Sequence, residues 1–262
     1  MSEDKKSLIN LFPDSIDNAI KNITDKPTQN IGTTLADILY LIFGGISQAA
    51  EKRKLKYYYE LQEFENELKN KIDKIPKDKQ VELDIQIIAP ALEAAKFCIE
   101  KPELRILFAN LITAALNQDK YKYTHPSFCD VIKQMTPLDA KNIFLFSKQS
   151  YYPICNYRVY YRNNRHDDYY KNIFISNKEE SDLIMQSVSI SSLESLGLIK
   201  TTFTEHLPNK CYKFFKNTNL YNDLKNEIHK NDITKAKRVK IVKGIVKLTP
   251  YGELFIKVCI SN

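Results

Sequence analysis

The 262-residue chain has no tryptophan and only six glycines. So few glycines leave few obligate positive-φ turns, which tilts the reading towards helices. Its five cysteines (Cys98, Cys129, Cys155, Cys211 and Cys259) are odd in number and scattered singly. That pattern excludes a disulfide framework and fits reduced, mostly buried thiols in a cytoplasmic protein. The opening MSEDKKSLINLF carries mixed charges and no apolar stretch ending at small residues, so no secretory signal is expected. The most hydrophobic run, 38–46, falls well short of the ~20 residues a membrane-spanning helix needs. Also missing are a phosphate-binding glycine loop, a nucleophile elbow and a zinc-protease helix. His125 and Cys129 lie four apart and His206 and Cys211 five apart, but no third and fourth ligands stand at helpful spacing. Asp37, Asp130 and Asp139 are isolated carboxylates. These absences lead to an expectation of no catalytic residues, no metal and no cofactor.

What is present is organised around residues 101–146. Three helix starts follow one another there, marked by Pro102 before Glu103, by Pro126 after His125, and by Pro137 after Thr136 with Asp139 two residues on. Proline suits a first helical position because its missing N–H would have had no partner there, and acids in the first turn favour the helix dipole. Leu104, Leu107, Phe108, Leu111, Ala115 and Leu116 share one face, so that helix must be buried along it. His125 is expected to cap the helix that Pro126 starts, with Phe128 filling the core.

Upstream, residues 13–24 form a short amphipathic helix. Residues 31–50 are the most apolar part of the chain, with Gly44-Gly45 marking a bend or a close helix contact. Leu39 and Phe43 at its centre are the candidates for membrane association or self-association. Residues 51–75 make the longest polar helix, with Leu61, Phe64, Leu68, Ile72 and Ile75 stepping by threes and fours until Pro76. Residues 83–99 form a second amphipathic segment, expected to start or kink at Pro90. The first 149 residues read as helical throughout.

Beyond Ser150 the character changes. YYPICNYRVYYRNNRHDDYYKNIFIS holds seven tyrosines and three arginines. Such residues favour strands, giving a hairpin or strand insertion, and they also suit base stacking. A helical turn or two at 182–189 and a short helix at 190–196, closed by Gly197, are followed by strands at 198–204 and 210–216. A helical excursion with Leu220, Leu224 and Ile228 at i, i+4 and i+8 comes next. A strand at 239–248 and a last helix capped by Thr249 with Pro250 complete the chain. The fold class expected is mainly α, α+β overall. A helical domain at 1–134 precedes a winged-helix-like domain at 135–262 with a small antiparallel sheet, a Tyr-rich insertion at 150–176 and a helical insertion at 217–235. LESLGLIK and KLTPYGELFIKVC resemble winged-helix modules at the matching places, with residues 139–148 as a first helix.

A winged helix presents the helix before Gly197 to the DNA major groove. Here it offers Ser189, Ser191, Ser192, Glu194 and Ser195, without the Arg, Lys, Asn or Gln that read base edges. The cations come later, at Lys235, Lys237, Arg238, Lys240, Lys243 and Lys247. Residues 200–262 carry thirteen Lys and Arg against five Asp and Glu, so the formal net charge of +7 resides in the last quarter. This basic tail supports an alternative reading as a DNA-binding regulator that grips the backbone non-specifically.

Three phrases and one upstream segment carry a family resemblance: LRILFANLITAALN at 104–117, HPSFCDVIKQM at 125–135, TPLDAKNIF at 136–144 and KPTQNIGTTLADILYLIFGGI at 26–46. Together they resemble the abortive infection alpha family of bacteria. The resemblance implies defence against phage by killing or arresting the infected cell. It brings no catalytic residues with it, and His125, Pro126, Ser127, Phe128, Pro137 and Asp139 are motif residues of structural character. The expectation is a cytoplasmic, non-enzymatic protein acting by binding and self-association as a homo-oligomer. A phage trigger or partner protein is expected, membrane association can follow activation, and nucleic acid is not favoured.

Overall fold

A computed structural model describes residues 51–82, 84–162, 165–230 and 236–261; residues 51–55, 58, 85, 229, 230, 236 and 237 contribute backbone only. Leu39, Phe43, Lys235 and the Lys237 side chain therefore lie outside the described residues. The described residues form two compact units that divide between Gln134 and Met135.

The N-terminal unit is helical. It contains α1 (Glu51–Ile72), α2 (Ile85–Cys98), α3 (Pro102–Ala115), the short α4 (Gln118–Tyr121) and α5 (Ser127–Gln134). At its centre is α3, which packs against α1, α2 and α5. The six apolar residues predicted to share a face are all buried, and Ala109, Ile112 and Ala114 on its other sides are buried too. A helix enclosed from several directions is apolar nearly all round. The Arg105 guanidinium binds the Glu60 carboxylate, a half-buried ion pair tying α3 to α1. Pro90 neither starts nor ends α2. The helix begins earlier, where the Asp84 carboxylate accepts the Gln86 N–H at 3.0 Å, and Pro90 lies in the second turn.

The C-terminal unit runs α6 (Pro137–Leu145), β1 (Tyr151–Tyr161), β2 (His166–Ile173), α7 (Leu183–Ser195), β3 (Ile199–Thr202), a 3-10 helix (Asn209–Asn217), α8 (Asn219–Lys230), β4 (Ala236–Leu248) and α9 (Pro250–Cys259). Its strands form one antiparallel sheet in the order β2-β1-β4-β3. The molecule is thus helix-rich with a small antiparallel sheet. Two local expectations change. Residues 210–216 are 3-10 helix and not strand, and the two short helices expected at 182–196 are a single one, α7.

Successive residues of β1 point to opposite faces. On one face Cys155, Tyr157 and Val159 pack against Tyr212 and Phe215 of the 3-10 helix and Tyr221, Leu224 and Ile228 of α8. The buried Tyr157 hydroxyl donates to the Phe215 carbonyl at 2.7 Å and lies 2.8 Å from Thr218 Oγ1. Its ring meets those of Tyr170 and Tyr221 edge-on. Tyr157 and Tyr221 are core residues with satisfied hydroxyls, that of Tyr221 donating to the Val239 carbonyl at 3.2 Å. The opposite face turns Tyr152 towards the end of α6, where its hydroxyl donates to the Leu145 carbonyl at 2.7 Å.

Both sheet edges are blunted. β3 has four residues, and β2 slips register twice against β1, passing over Tyr169 between the pairs Tyr157–Tyr170 and Arg158–Asp168. Asn172 has φ 52°, and its N–H donates to Asn156 Oδ1 at 2.9 Å. Bulges and short edges disfavour pairing with another sheet.

Gly197 ends α7 with φ 75°. Leu198 N–H donates to the Leu193 carbonyl at 3.1 Å and Gly197 N–H to that of Glu194 at 2.9 Å, the two bonds of a Schellman cap. Thr249 then clasps this turn to the last helix. Its hydroxyl donates to the Gly197 carbonyl at 2.6 Å and accepts the Gly252 N–H at 2.9 Å. A Cβ on Gly252 would stand 1.9 Å from the Leu198 carbonyl oxygen. Gly252→Ala should therefore cost at least about 3 kcal/mol through backbone displacement. Thr249→Ala, which loses the cap and the hydrogen bond to the Gly197 carbonyl but displaces no backbone, should cost about 2 kcal/mol. Urea denaturation of the two variants checks both values, and equal costs would refute the close-approach argument.

Candidate functional site

Five of the polar residues buried in the C-terminal unit form a seam between α6, α7 and the segment that precedes α7. Thr136 starts α6 with a capping box: Asp139 N–H donates to Thr136 Oγ1 at 3.2 Å, and Thr136 N–H to Asp139 Oδ2 at 2.8 Å. Asp139 Oδ2 also accepts the Ser192 hydroxyl of α7 at 3.2 Å. One turn on, Asn142 Nδ2 donates to Ser189 Oγ at 2.9 Å, while its Oδ1 accepts from Asn177 Nδ2 at 2.7 Å. Gln186 Nε2 donates to the carbonyls of Asn177 at 3.0 Å and Glu180 at 2.7 Å. Asp139, Asn142, Asn177, Gln186 and Ser189 are all buried. Each of these bonds is made in a medium of low polarity, where an unmade one is costly.

This seam turns over the expected orientation of α7. Ser189 and Ser192 face inward onto α6. Glu194 accepts the Thr201 N–H at 2.7 Å and its hydroxyl at 2.9 Å, so it too is held within the unit. What α7 shows to solvent is Ile184, Met185 and Val188, at 40%, 49% and 54% exposure, followed by Ser191 and Ser195. The residues read as a DNA-facing surface are in part the internal seam.

The predicted cations spread over both faces of β4. Arg238 and Lys240 flank the Tyr160 ring at 5.2 and 5.7 Å, and His166 lies against the same ring at 5.5 Å. Lys243 donates to Asn209 and lies 5.8 Å from the Tyr212 ring on the other face. Lys247 pairs with Glu205. The structure brings Arg238 and Lys240 together and leaves Lys243 and Lys247 with partners elsewhere. On β1, Arg158 binds Asp168 through two nitrogens, at 2.5 and 3.0 Å. The Arg158 hydrogen bonds hold the Asp168 carboxyl below its usual range despite partial burial.

In the N-terminal unit, His125, two residues before α5 begins, accepts the Ser127 N–H on Nδ1 at 3.2 Å and lies 2.6 Å from Ser127 Oγ. Phe128 is fully buried beside it, its ring centroid 5.9 Å from the imidazole. Pro126 precedes α5, while Pro137 opens α6. Burial and the neighbouring Asp130 push the Cys129 thiol up to about 11. Among the described residues no group of three His, Cys, Asp or Glu is placed to hold a metal ion. None of the described helices is long and apolar enough to cross a membrane.

The described residues define a helix-rich protein whose C-terminal unit combines a small sheet with helices, two of which, α6 and α7, are joined through a polar seam. The family model for abortive infection alpha matches residues 56–259, most of the chain, and the chain belongs to that family. Membership supports antiviral defence and resistance to phage as its field of action. No curated protein and no solved structure matches the chain.

Asn142→Ala should lower stability by about 2 kcal/mol, because Asn177 and Ser189 each lose a buried partner. A denaturation midpoint unchanged from wild type would show that the seam carries no such weight. The Arg158–Asp168 pair adds stability above the ordinary carboxylate pKa of about 3.9, which is lost as pH falls through the lower folded value. Asp168→Asn should therefore remove about 1 kcal/mol at neutral pH and flatten the decline in stability below about pH 4. Thermal unfolding from pH 2 to 7 tests the sign.

Proposed function

We propose that this abortive-infection protein defends against phage by binding and self-association and not by catalysis, with the outward face of α7 as its contact surface. The observation that supports this reading is the exposed row Ile184, Met185 and Val188, set on a helix whose Ser189, Ser192 and Glu194 are engaged inside the unit. Residues 184, 185 and 188 share one side of a helix. Apolar side chains grouped on a surface gain from being covered by another protein. A DNA groove instead rewards cations and amides, which this row does not offer.

In this reading the C-terminal unit is a winged-helix variant. The strands β1, β4 and β3 form its three-stranded core, α7 stands in the recognition-helix position, and β2 and the segment from the 3-10 helix through α8 are insertions. The blunted edges of β2 and β3 direct self-association to side-chain surfaces and away from sheet pairing. The protein acts in the cytoplasm as a homo-oligomer that meets a phage trigger or a partner protein, and membrane association through Leu39 and Phe43 follows activation. The alternative as a DNA-binding regulator gains no support from the dispersed cations of β4.

A phage challenge at low and high multiplicity of infection tests the proposal. Cultures with the wild-type chain should survive low multiplicity and collapse at high multiplicity. Met185→Glu with Val188→Glu should keep the fold, since both side chains are exposed, and should return plaque counts to those of cells lacking the protein. Full protection by a folded double variant would overturn the assignment to α7.

A further inference from the structure

The starts of α7 and α8 border a cleft of about 550 Å³ within the C-terminal unit. That volume is in the range that holds a small ligand or a long side chain. Both helix starts are capped: the Asp182 carboxylate accepts the Ile184 N–H at 2.8 Å and the Met185 N–H at 3.2 Å, and Thr218 Oγ1 accepts the Tyr221 N–H at 3.2 Å. The helix dipoles are therefore already answered by protein groups. Charge along the wall is acidic, with Glu180, Asp182 and Asp223 against Lys178, whose ammonium donates to the Ile175 carbonyl at 2.7 Å.

A second observation comes from Gln186, which lines the cleft while only 1% exposed. Its Nε2 is spent on the carbonyls of Asn177 and Glu180, and its Oε1 is buried with no hydrogen-bond partner. A buried acceptor of this kind calls for a donor. Phe214 stands in the same wall with 69% of its surface exposed, a ring free to lie against a ligand.

We propose that this cleft binds an organic cation bearing hydrogen-bond donors, a guanidinium or primary ammonium group on an apolar stem. Gln186 Oε1 accepts from the donor, Asp223 and Glu180 balance the charge, and Phe214 supplies a π face over which such a cation is attracted. Leu220 and Ile184 receive the stem. A free small amine or guanidine and an Arg or Lys side chain of a partner protein share this chemistry. The site adjoins the Met185 and Val188 face but does not depend on it, because its binding groups are Gln186, Asp223 and Phe214.

The test uses the full-length protein and isothermal titration with two probes, butylguanidinium for the free cation and acetyl-Leu-Arg-Leu-amide for the side chain. Saturable binding of either probe is expected, weakened at least about tenfold in the double variant Phe214→Ala/Asp223→Asn. Both substituted side chains are exposed and lie outside the seam, so the variant should fold. Tighter binding of the peptide would assign the site to a partner's side chain, and equal binding would assign it to a small cation. No heat from either probe at about 10 mM, or affinity unchanged in the double variant, would overturn the proposal.

Discussion

The side-chain amide of Asn142 joins three segments of the C-terminal unit, donating to Ser189 on α7 and accepting from Asn177 in the segment before it. Apolar side chains tolerate sliding, because dispersion has little direction. A buried amide does not, because its donor and acceptor must each meet a partner within a few tenths of an ångström and a limited angle. The seam therefore sets the rotation of α7 as well as its position. With Ser189, Ser192 and Gln186 drawn inward, Ile184, Met185 and Val188 point out. The exposed apolar face and the internal polar seam are two consequences of one packing constraint.

The rest of the unit is built to hold that arrangement. Aromatic rings on one face of the sheet close over Cys155, Tyr157 and Val159, and the buried hydroxyls end on backbone carbonyls. On the other side the Schellman turn at Gly197 stops α7 and passes the chain into β3. Thr249 fastens that turn to the final helix, with Gly252 pressed against the Leu198 carbonyl. These contacts join LESLGLIK to KLTPYGELFIKVC, two phrases about fifty residues apart in the chain.

For an abortive-infection protein this division of labour has a functional logic. In the proposed reading the protein stays silent until infection and then engages a partner. In the same reading, sheet edges that disfavour pairing leave side-chain surfaces as the means of contact, and among the described residues α7 carries the row of exposed apolar side chains Ile184, Met185 and Val188. The acidic cleft beside it borders the same helix start, and Gln186 belongs to both seam and cleft. A ligand there would act on the group that helps to anchor the segment before α7.

Much of the fold was legible because it is decided locally. Thr136-Pro137 with Asp139, Thr249-Pro250 and Gly197 act within one turn of chain, so each helix boundary they mark could be read from neighbouring letters. The tyrosine-rich hairpin was legible for the same reason, as strand preference and pleated burial agree. Residues 210–216 differ because Tyr212 and Phe215 bury at a spacing of three, which suits a 3-10 helix laid on the sheet, while the aromatic residues of the stretch also favour strand. The orientation of α7 was not legible at all. Apolar residues and serines occur around its whole circumference, and an amide or hydroxyl looks solvent-facing until its partner is known. Sequence alone determined the capped helix boundaries at Thr136, Gly197 and Thr249 and the family, since these rest on residues close together in the chain. Only tertiary structure decided which side of α7 faces out and where Gln186 lies, since these depend on partners up to 53 residues away.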